Sequence, residues 1–515
     1  MVVPQTDNVT LSNFRGLNIQ ESSFTVDDPF LTFAENVVVR GGDIEIREPF
    51  QRAVDTVYTE NGSPCRVLKD LFGTVIVVGE NGVLTMKASL FDTRVTETVH
   101  TDLGAPAIGS GATWIGGADF VTAVKVGDNY YFGGEQGLYK RTSAGVWSNI
   151  VLPDANVGVA QLTYYKNRLW VVTSGRIGGT PTESVFYRMY YSAPANPDSI
   201  TNLIDIARNE NLGRLMGIIP FSDRIMCFTQ NSVWNLYISG DTASWSQRLF
   251  LRGLGVANAQ SIVEYKNSVY FLNGSGVYRT DGNVLEEVSA PIRDWISSGQ
   301  FLSSEFMYAL NLYQDTLLVR TFGGTSAPSG NFIYNLEWDT WTFWNSPCDE
   351  DINKYAATWH DAQGRECLWF GSQQSKIIDY GTPNFGDVTG RYEDYDYTNE
   401  DYDEILIEIR TKKFDNGKFF RDKVITDVEV EIEGQSMISV NGESFVDGNV
   451  NAVESRTYTA TEYGTALQHL MQFPGPRYAR RFYYRIRVTT IDFFRITGIN
   501  IIGFLKRNEP VNPSG

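Results

Sequence analysis

Tyr165-Lys166-Asn167-Arg168-Leu169 and Tyr265-Lys266-Asn267-Ser268-Val269 repeat one cadence: an apolar residue, any residue, a small turn former, any residue, an apolar residue. Looser copies are Leu71-Phe72-Gly73-Thr74-Val75, Val126-Gly127-Asp128-Asn129-Tyr130, Phe221-Ser222-Asp223-Arg224-Ile225 and Tyr313-Gln314-Asp315-Thr316-Leu317, and a seventh centres on Asp361. The copies recur every 39 to 56 residues. Asn, Asp and Gly suit tight turns because they tolerate a positive φ. Further turns follow at Asn81-Gly82, Gln136-Gly137, Asn231-Ser232 and Ser275-Gly276, and some copies close with a third, such as Thr280-Asp281-Gly282 or Trp338-Asp339-Thr340. Three or four short strands per period is the signature of a propeller blade. A lone four-stranded sheet leaves both faces wet, whereas radial packing buries them and leaves only short edges. The chain therefore reads as all-β, a β-propeller of six or seven blades over residues 61–385.

Outward from the repeats, residues 1–60 read as an N-terminal arm with a hairpin: Val37-Val38-Val39 and Ile44-Glu45-Ile46 flank Gly41-Gly42-Asp43. Residues 386–404 read as an acidic, Tyr-rich linker or loop, with RYEDYDYTNEDYDE over 391–404. Residues 405–515 read as a second β domain of sandwich or barrel type, because Val428-Glu429-Val430-Glu431-Ile432-Glu433 alternates with the period of a strand. Asp294-Trp295-Ile296-Ser297 has room for one helical turn, and no longer amphipathic helix is legible, which argues against an α/β enzyme fold.

The 515 residues are 42% hydrophobic and 13% aromatic, with 47 glycines, which suits a folded chain of strands and turns. The formal charge is −18. Such a chain as a whole repels nucleic acid, whose binding rests on cationic neutralisation of phosphates. Cys65, Cys227, Cys348 and Cys367 show no metal-ligand spacing and suit free thiols in a reducing cytoplasm. Met1–Thr10 has neither a basic nor an apolar signal region, and no run is long enough for a membrane helix, so no membrane insertion is expected.

The search for chemistry returns little. His100, His360 and His469 share no ligand spacing, Gly274-Ser275-Gly276 lacks the outer glycine of a nucleophile elbow, and no phosphate-binding glycine loop follows a strand. Asp394-x-Asp396 opens like a calcium loop, but Asn399 stands where glycine is needed and Ile405 where a bidentate Glu is needed. No catalytic residue, metal ligand or cofactor is expected. The charged residues singled out for a subunit interface or channel are Glu393, Asp394, Asp396, Glu400, Asp401, Asp403, Glu404, Lys412, Lys413, Arg480 and Arg481. The basic stretches, with Phe419, Phe420, Tyr478 and Phe482 among them, read either as a nucleic-acid platform or as strand faces that meet a neighbour's acidic run.

Three ordered passages go beyond a generic propeller. Asn13-Phe14-Arg15-Gly16-Leu17-Asn18 is followed by Asn36-Val37 and Arg47. Tyr165 to Trp170 is followed by Tyr190-Tyr191-Ser192-Ala193-Pro194 and Asn196-Pro197-Asp198-Ser199. Ser232-Val233-Trp234 is followed by Gly276 to Gly282, then Tyr334-Asn335, Trp341 and Trp344. This order, from about residue 13 to 505, resembles the tail nozzle proteins of short-tailed bacteriophages, also called tail tubular protein B or head-completion stabilisation protein. The resemblance implies a non-enzymatic virion protein, assembled in the host cytoplasm as a ring, typically hexameric. It implies an adaptor ring above, a needle, plug or fibre and tail spikes at the far end or side, and double-stranded DNA passing through without specific binding. An acidic wall suits that passage, because every phosphate contact would add affinity and friction. The alternative is a propeller-type glycan-binding protein or glycosidase, whose carboxylates would converge at the propeller centre.

Overall fold

The computed structural model describes residues 9–19, 30–47, 50–52, 66–69, 75–79, 82–86, 100–104, 120–134, 137–154, 157–176, 186–206, 210, 212–297, 309–321, 330–344, 352–360, 366–372, 377–380, 393–396, 401–414, 423–434, 438–446, 451–460, 467–474, 482–490 and 493–505. Seven four-stranded antiparallel sheets occupy residues 66–104, 120–150, 157–205, 215–252, 262–287, 309–344 and 352–380, the last completed by Phe50–Arg52. Their first strands pack one against the next in order, and the seventh returns to the first. The protein is a closed seven-bladed β-propeller with an additional β-sandwich. Among the described residues the one α-helix is Arg293–Ser297, at the predicted place.

The repeated cadence is the first hairpin of each blade. In the five described copies the ladder closes across two residues, as in Tyr165↔Arg168 and Tyr265↔Ser268. The strand before each turn therefore belongs to the same blade as the strand after it. The positive φ expected at the Asn, Asp or Gly lies instead on the residue before it: Gly127, Lys166, Ser222, Lys266 and Gln314. Only Asn167 and Asn267 share it. Two adjacent positive φ values match the right-handed twist of the flanking strands, and Asn accepts that conformation readily.

The blade interfaces hold the core. Trp170, Val172, Ile225, Cys227 and Leu236 meet between blades three and four, and Phe228, Val233, Val269 and Phe271 between four and five. A first strand has no ladder partner toward the axis, so side chains of the adjacent blade supply the missing bonds. Gln161 Nε2 donates to Ile218 O (2.9 Å) while its Oε1 accepts from Ile218 N (2.7 Å). Likewise Thr122 Oγ1 accepts from Leu162 N (3.1 Å).

The described parts of residues 1–60 do not stand apart as an arm. The hairpin Val37–Arg40/Asp43–Ile46 is present, turning at Gly41 and Gly42, but it lies in a sandwich sheet beside Phe494–Leu505, Lys423–Gly434 and Leu467–Pro474. Val9–Leu11 also pairs with Phe494–Leu505. Leu31–Glu35 joins the second sheet, beside Asp401–Thr411, Phe482–Thr490, Ile438–Val446 and Glu454–Ala460. Phe50–Arg52 leaves for the propeller, where it pairs with Ile377–Tyr380 and fastens the ring. The reason is edge cover: each strand finds an open ladder that no local segment fills.

The sandwich follows its alternation. Phe482, Tyr484, Ile486 and Val488 point inward from one sheet, and Val428, Val430 and Ile432 from the other, all buried. Each such aliphatic contributes about 1.5–3 kcal/mol of burial. The 386–404 segment contains more than a linker: Glu393–Asp396 pairs with the start of Asp401–Thr411 as a hairpin.

Candidate functional site

The most constrained place in the molecule is the joint between blade six and the sandwich. Gly16 has φ +75, and a Cβ there would stand 2.4 Å from Trp341 O and 2.8 Å from Trp341 N. No side chain fits, so the backbone of the first passage lies directly on the last strand of blade six. Leu17 N donates to Trp341 O (2.8 Å), Leu31 N to Gly16 O (2.8 Å) and Asn36 N to Phe343 O (2.8 Å). Glu35 pairs in parallel with Phe343, so blade six and one sandwich sheet run together as a ten-stranded sheet.

Side chains seal the joint. Trp344 Nε1 donates to Val37 O (2.9 Å) and Trp341 Nε1 to Val288 O of blade five (2.8 Å). Asn36, at φ +58, donates through Nδ2 to Leu406 O (2.7 Å) and accepts from Arg47 Nε (3.0 Å). Arg47 is 1% exposed, so this acceptor partners a buried cation. One apolar core runs from Leu272 and Val277 of blade five through Phe332 and Phe343 of blade six to Ile409, Val430 and Ile486 of the sandwich.

The charged residues singled out from sequence fall into three groups. Glu393, Asp394, Asp396, Asp401, Asp403 and Glu404 lie on one hairpin, in the register Glu393↔Glu404, Asp394↔Asp403 and Asp396↔Asp401. Acid thus stands opposite acid at three of its ladder positions. Lys412 and Lys413 follow the strand Asp401–Thr411 and are half-buried, with Lys412 Nζ 5.6 Å from the Phe414 ring centre. Glu400, Arg480 and Arg481 lie outside the described residues. Arg485, which follows Arg480 and Arg481 along the chain, has an acidic partner within its own chain: Glu443 at 2.5 Å. Its neighbour Arg487 holds Glu408 at 2.8 Å.

Sequence reading missed the polar clusters that join distant segments. Glu408 is buried, which raises its pKa, but bonds from Arg487 and Arg410 outweigh burial and hold it below the ordinary carboxylate range. Arg495 gathers Glu45 (2.5 Å), Glu433 (3.5 Å) and Asp43 (4.0 Å) on the other sheet. Between blades two and three, Arg188 binds Asp154 (2.6 Å) and Asp205 (3.0 Å). Burial raises the Asp154 pKa, yet hydrogen bonds from Tyr190 and Arg188 bring it below its usual value. No spacing along the chain announces such partners.

These arrangements neutralise carboxylates rather than free them for proton transfer. An open groove of about 500 Å³ lies at the rim of blades two and three, lined by Lys140, Asn149, Val151, Asp198 and Thr201 among others. Its Asp198 is engaged by Lys140 and by Tyr131 OH (2.7 Å). Among the described residues no three His, Cys, Asp or Glu side chains gather as a metal site. Cys227 is a free, buried thiol, and burial pushes its pKa far up.

No family model and no curated protein matches the chain. Among solved structures, virginiamycin B lyase from Staphylococcus aureus is similar at 13% identity and a TM-score of 0.42, over 64% of this chain and 97% of that one. A streptogramin B lyase is similar at 12% identity and a TM-score of 0.43, over 65% of this chain and 98% of that one. The WD40 domain of Pan2 from Neurospora crassa is similar at 10% identity and a TM-score of 0.39, over 66% of this chain and 96% of that one. Likeness at this level concerns the fold alone.

Proposed function

We propose that this chain is a structural subunit of a bacteriophage tail nozzle, a cyclic homo-oligomer, of six copies as the resemblance implies, that extends the portal channel, retains packaged DNA and conducts it on ejection. The observation that carries this reading is the joint. The residues behind the sequence resemblance (Gly16, Leu17, Asn36, Arg47, Trp341 and Trp344) are those that fix propeller to sandwich. A wall unit needs that rigidity, because its two bodies must keep one relative position in every copy of the ring.

The dimensions of the propeller support a wall rather than a pore in each subunit. First strands of neighbouring blades approach within 8 Å between Cα atoms. Seven such steps enclose a circle about 18 Å across between backbones, before side chains are added. A duplex, with grooves about 8 Å deep on each side of its base pairs, does not fit there. The DNA path of this reading therefore runs along the axis of the ring, between subunits. The charge of −18 suits such a conduit. The subunit makes and breaks no bond in this account. Its partners would be the adaptor ring above and a needle, plug, fibre or tail spikes below or beside it.

Negative-stain images of the purified chain, alone and with its adaptor, test the proposal. Rings of six-fold or twelve-fold symmetry with an axial hole are expected. Uniform monomers under both conditions, or turnover of a glycan substrate, would overturn it.

A further inference from the structure

We propose that the rim groove between blades two and three is a binding site for an uncharged carbohydrate, a short oligosaccharide that it holds without cleaving. This goes beyond the ring reading and holds for a single subunit.

The groove lies where the outermost strands of two blades splay apart. Trp147–Ile150 ends the sheet of blade two and Asn196–Asp205 ends that of blade three. Its volume of about 500 Å³ falls within the range of about 300–1,000 Å³ usual for small-molecule sites.

The charges of the groove cancel. Lys140 and Asp198 are the charged residues of its lining, one of each sign, and they bind each other. An anion would meet Asp198 and a cation would meet Lys140, so the pair disfavours both. Asp198 is also held from below: Tyr131, fully buried, donates its hydroxyl to Asp198 Oδ1 (2.7 Å), while Lys140 donates to Oδ2. A carboxylate oxygen has two lone pairs. Each oxygen of Asp198 has therefore spent one and keeps one, on a side chain that is 46% exposed. Two fixed acceptors side by side suit two hydroxyls on neighbouring carbons, and their orientation is set before the ligand arrives.

The rest of the lining matches the two halves of a sugar ring. Ser148, Asn149, Ser199 and Thr201 each carry a side chain that both donates and accepts. Among the described residues none of the four side chains is engaged elsewhere. Beneath them lie Ile150 and Ile200, both buried, and Val151 stands at the edge 83% exposed. Hydroxyls of a sugar would meet the polar groups, and its C–H faces would meet the aliphatic ones. A peptide asks for something else, because its affinity rests on large anchors, chiefly aromatic or arginine side chains, in deep pockets. Glycosidic cleavage needs two carboxylates about 5–9.5 Å apart, and Asp198 is the one carboxylate of this lining.

The test uses the full-length protein and saturation-transfer difference NMR. The probes are maltotriose, cellotriose, mannotriose and triacetylchitotriose at about 10 mM, with trigalacturonate as the charged control. Transfer to at least one neutral trisaccharide is expected, with little to trigalacturonate and no cleavage of either. Two variants, D198N and S148A/T201A, are first checked for native circular dichroism and unfolding. The dissociation constant should rise about tenfold or more in D198N and about fivefold in S148A/T201A. Four results would overturn the site: no neutral sugar bound, binding unmoved by both variants, preference for trigalacturonate, or random-library peptides bound in place of sugars and lost in D198N. Each of them leaves the nozzle reading standing, and a chain that forms no ring leaves the groove standing.

Discussion

Replacing Gly16 by alanine should loosen the joint between propeller and sandwich more than its conformation alone predicts. Gly16 sits at φ +75, where an L residue costs about 1–2 kcal/mol. Its added Cβ would also stand 2.4 Å from Trp341 O, a backbone atom inside a blade that has nowhere to move. Relief requires the segment to lift, which sacrifices the bonds from Leu17 N to Trp341 O and from Leu31 N to Gly16 O. Each is worth about 0.5–1.5 kcal/mol net. The total is about 2–5 kcal/mol. Gly41 supplies the control: φ is +60, yet nothing lies within 4 Å of its Cβ position, so Gly41→Ala should cost only the conformational part, about 1–2 kcal/mol. Urea unfolding followed by tryptophan fluorescence measures both. Equal losses for the two variants, within about 0.5 kcal/mol, would refute the close-approach argument.

Three further outcomes are expected. Asn36→Ala strips Arg47 of one acceptor and Leu406 O of its donor, and should cost about 2–4 kcal/mol in the same assay. Asn36→Gly, which accepts φ +58 freely, should cost about 1 kcal/mol less, and a larger loss for glycine would contradict the geometry. Because the folded pKa of Glu408 lies below its ordinary 4.5, the stability it contributes is complete above that pH and drains away as pH falls through the folded value. The stability gap between wild type and Glu408→Gln should therefore narrow in acid, and a gap independent of pH would count against the pair with Arg487. Cys227 should resist iodoacetamide in the native protein and react once urea opens blade four, and prompt native labelling, located by peptide mass, would contradict its burial.

Much of the architecture is written locally. Lys166-Asn167 and Lys266-Asn267 specify tight hairpins within two residues, and Val428-Glu429-Val430-Glu431-Ile432 places its apolar face within five. Turn chemistry and period-two alternation depend only on neighbours along the chain, so propeller and sandwich were both legible. The candidate site was legible only in part. Gly16, Asn36, Arg47, Trp341 and Trp344 stand out as motifs, but nothing near them says that they meet.

The sequence by itself determined the elements: short strands, tight turns, an alternating C-terminal domain and no visible catalytic motif. Tertiary structure decided the blade count of seven, the division of the N-terminal strands between two bodies, and the partners of Arg485, Arg487 and Arg495. Those outcomes turn on which open edge or buried charge is met first in space. Gln51 pairs with Asp379, Glu35 with Phe343 and Glu45 with Arg495, each across hundreds of residues. A ladder edge is an unpaired row of donors and acceptors that any extended segment can satisfy. Only the folded arrangement selects which segment does.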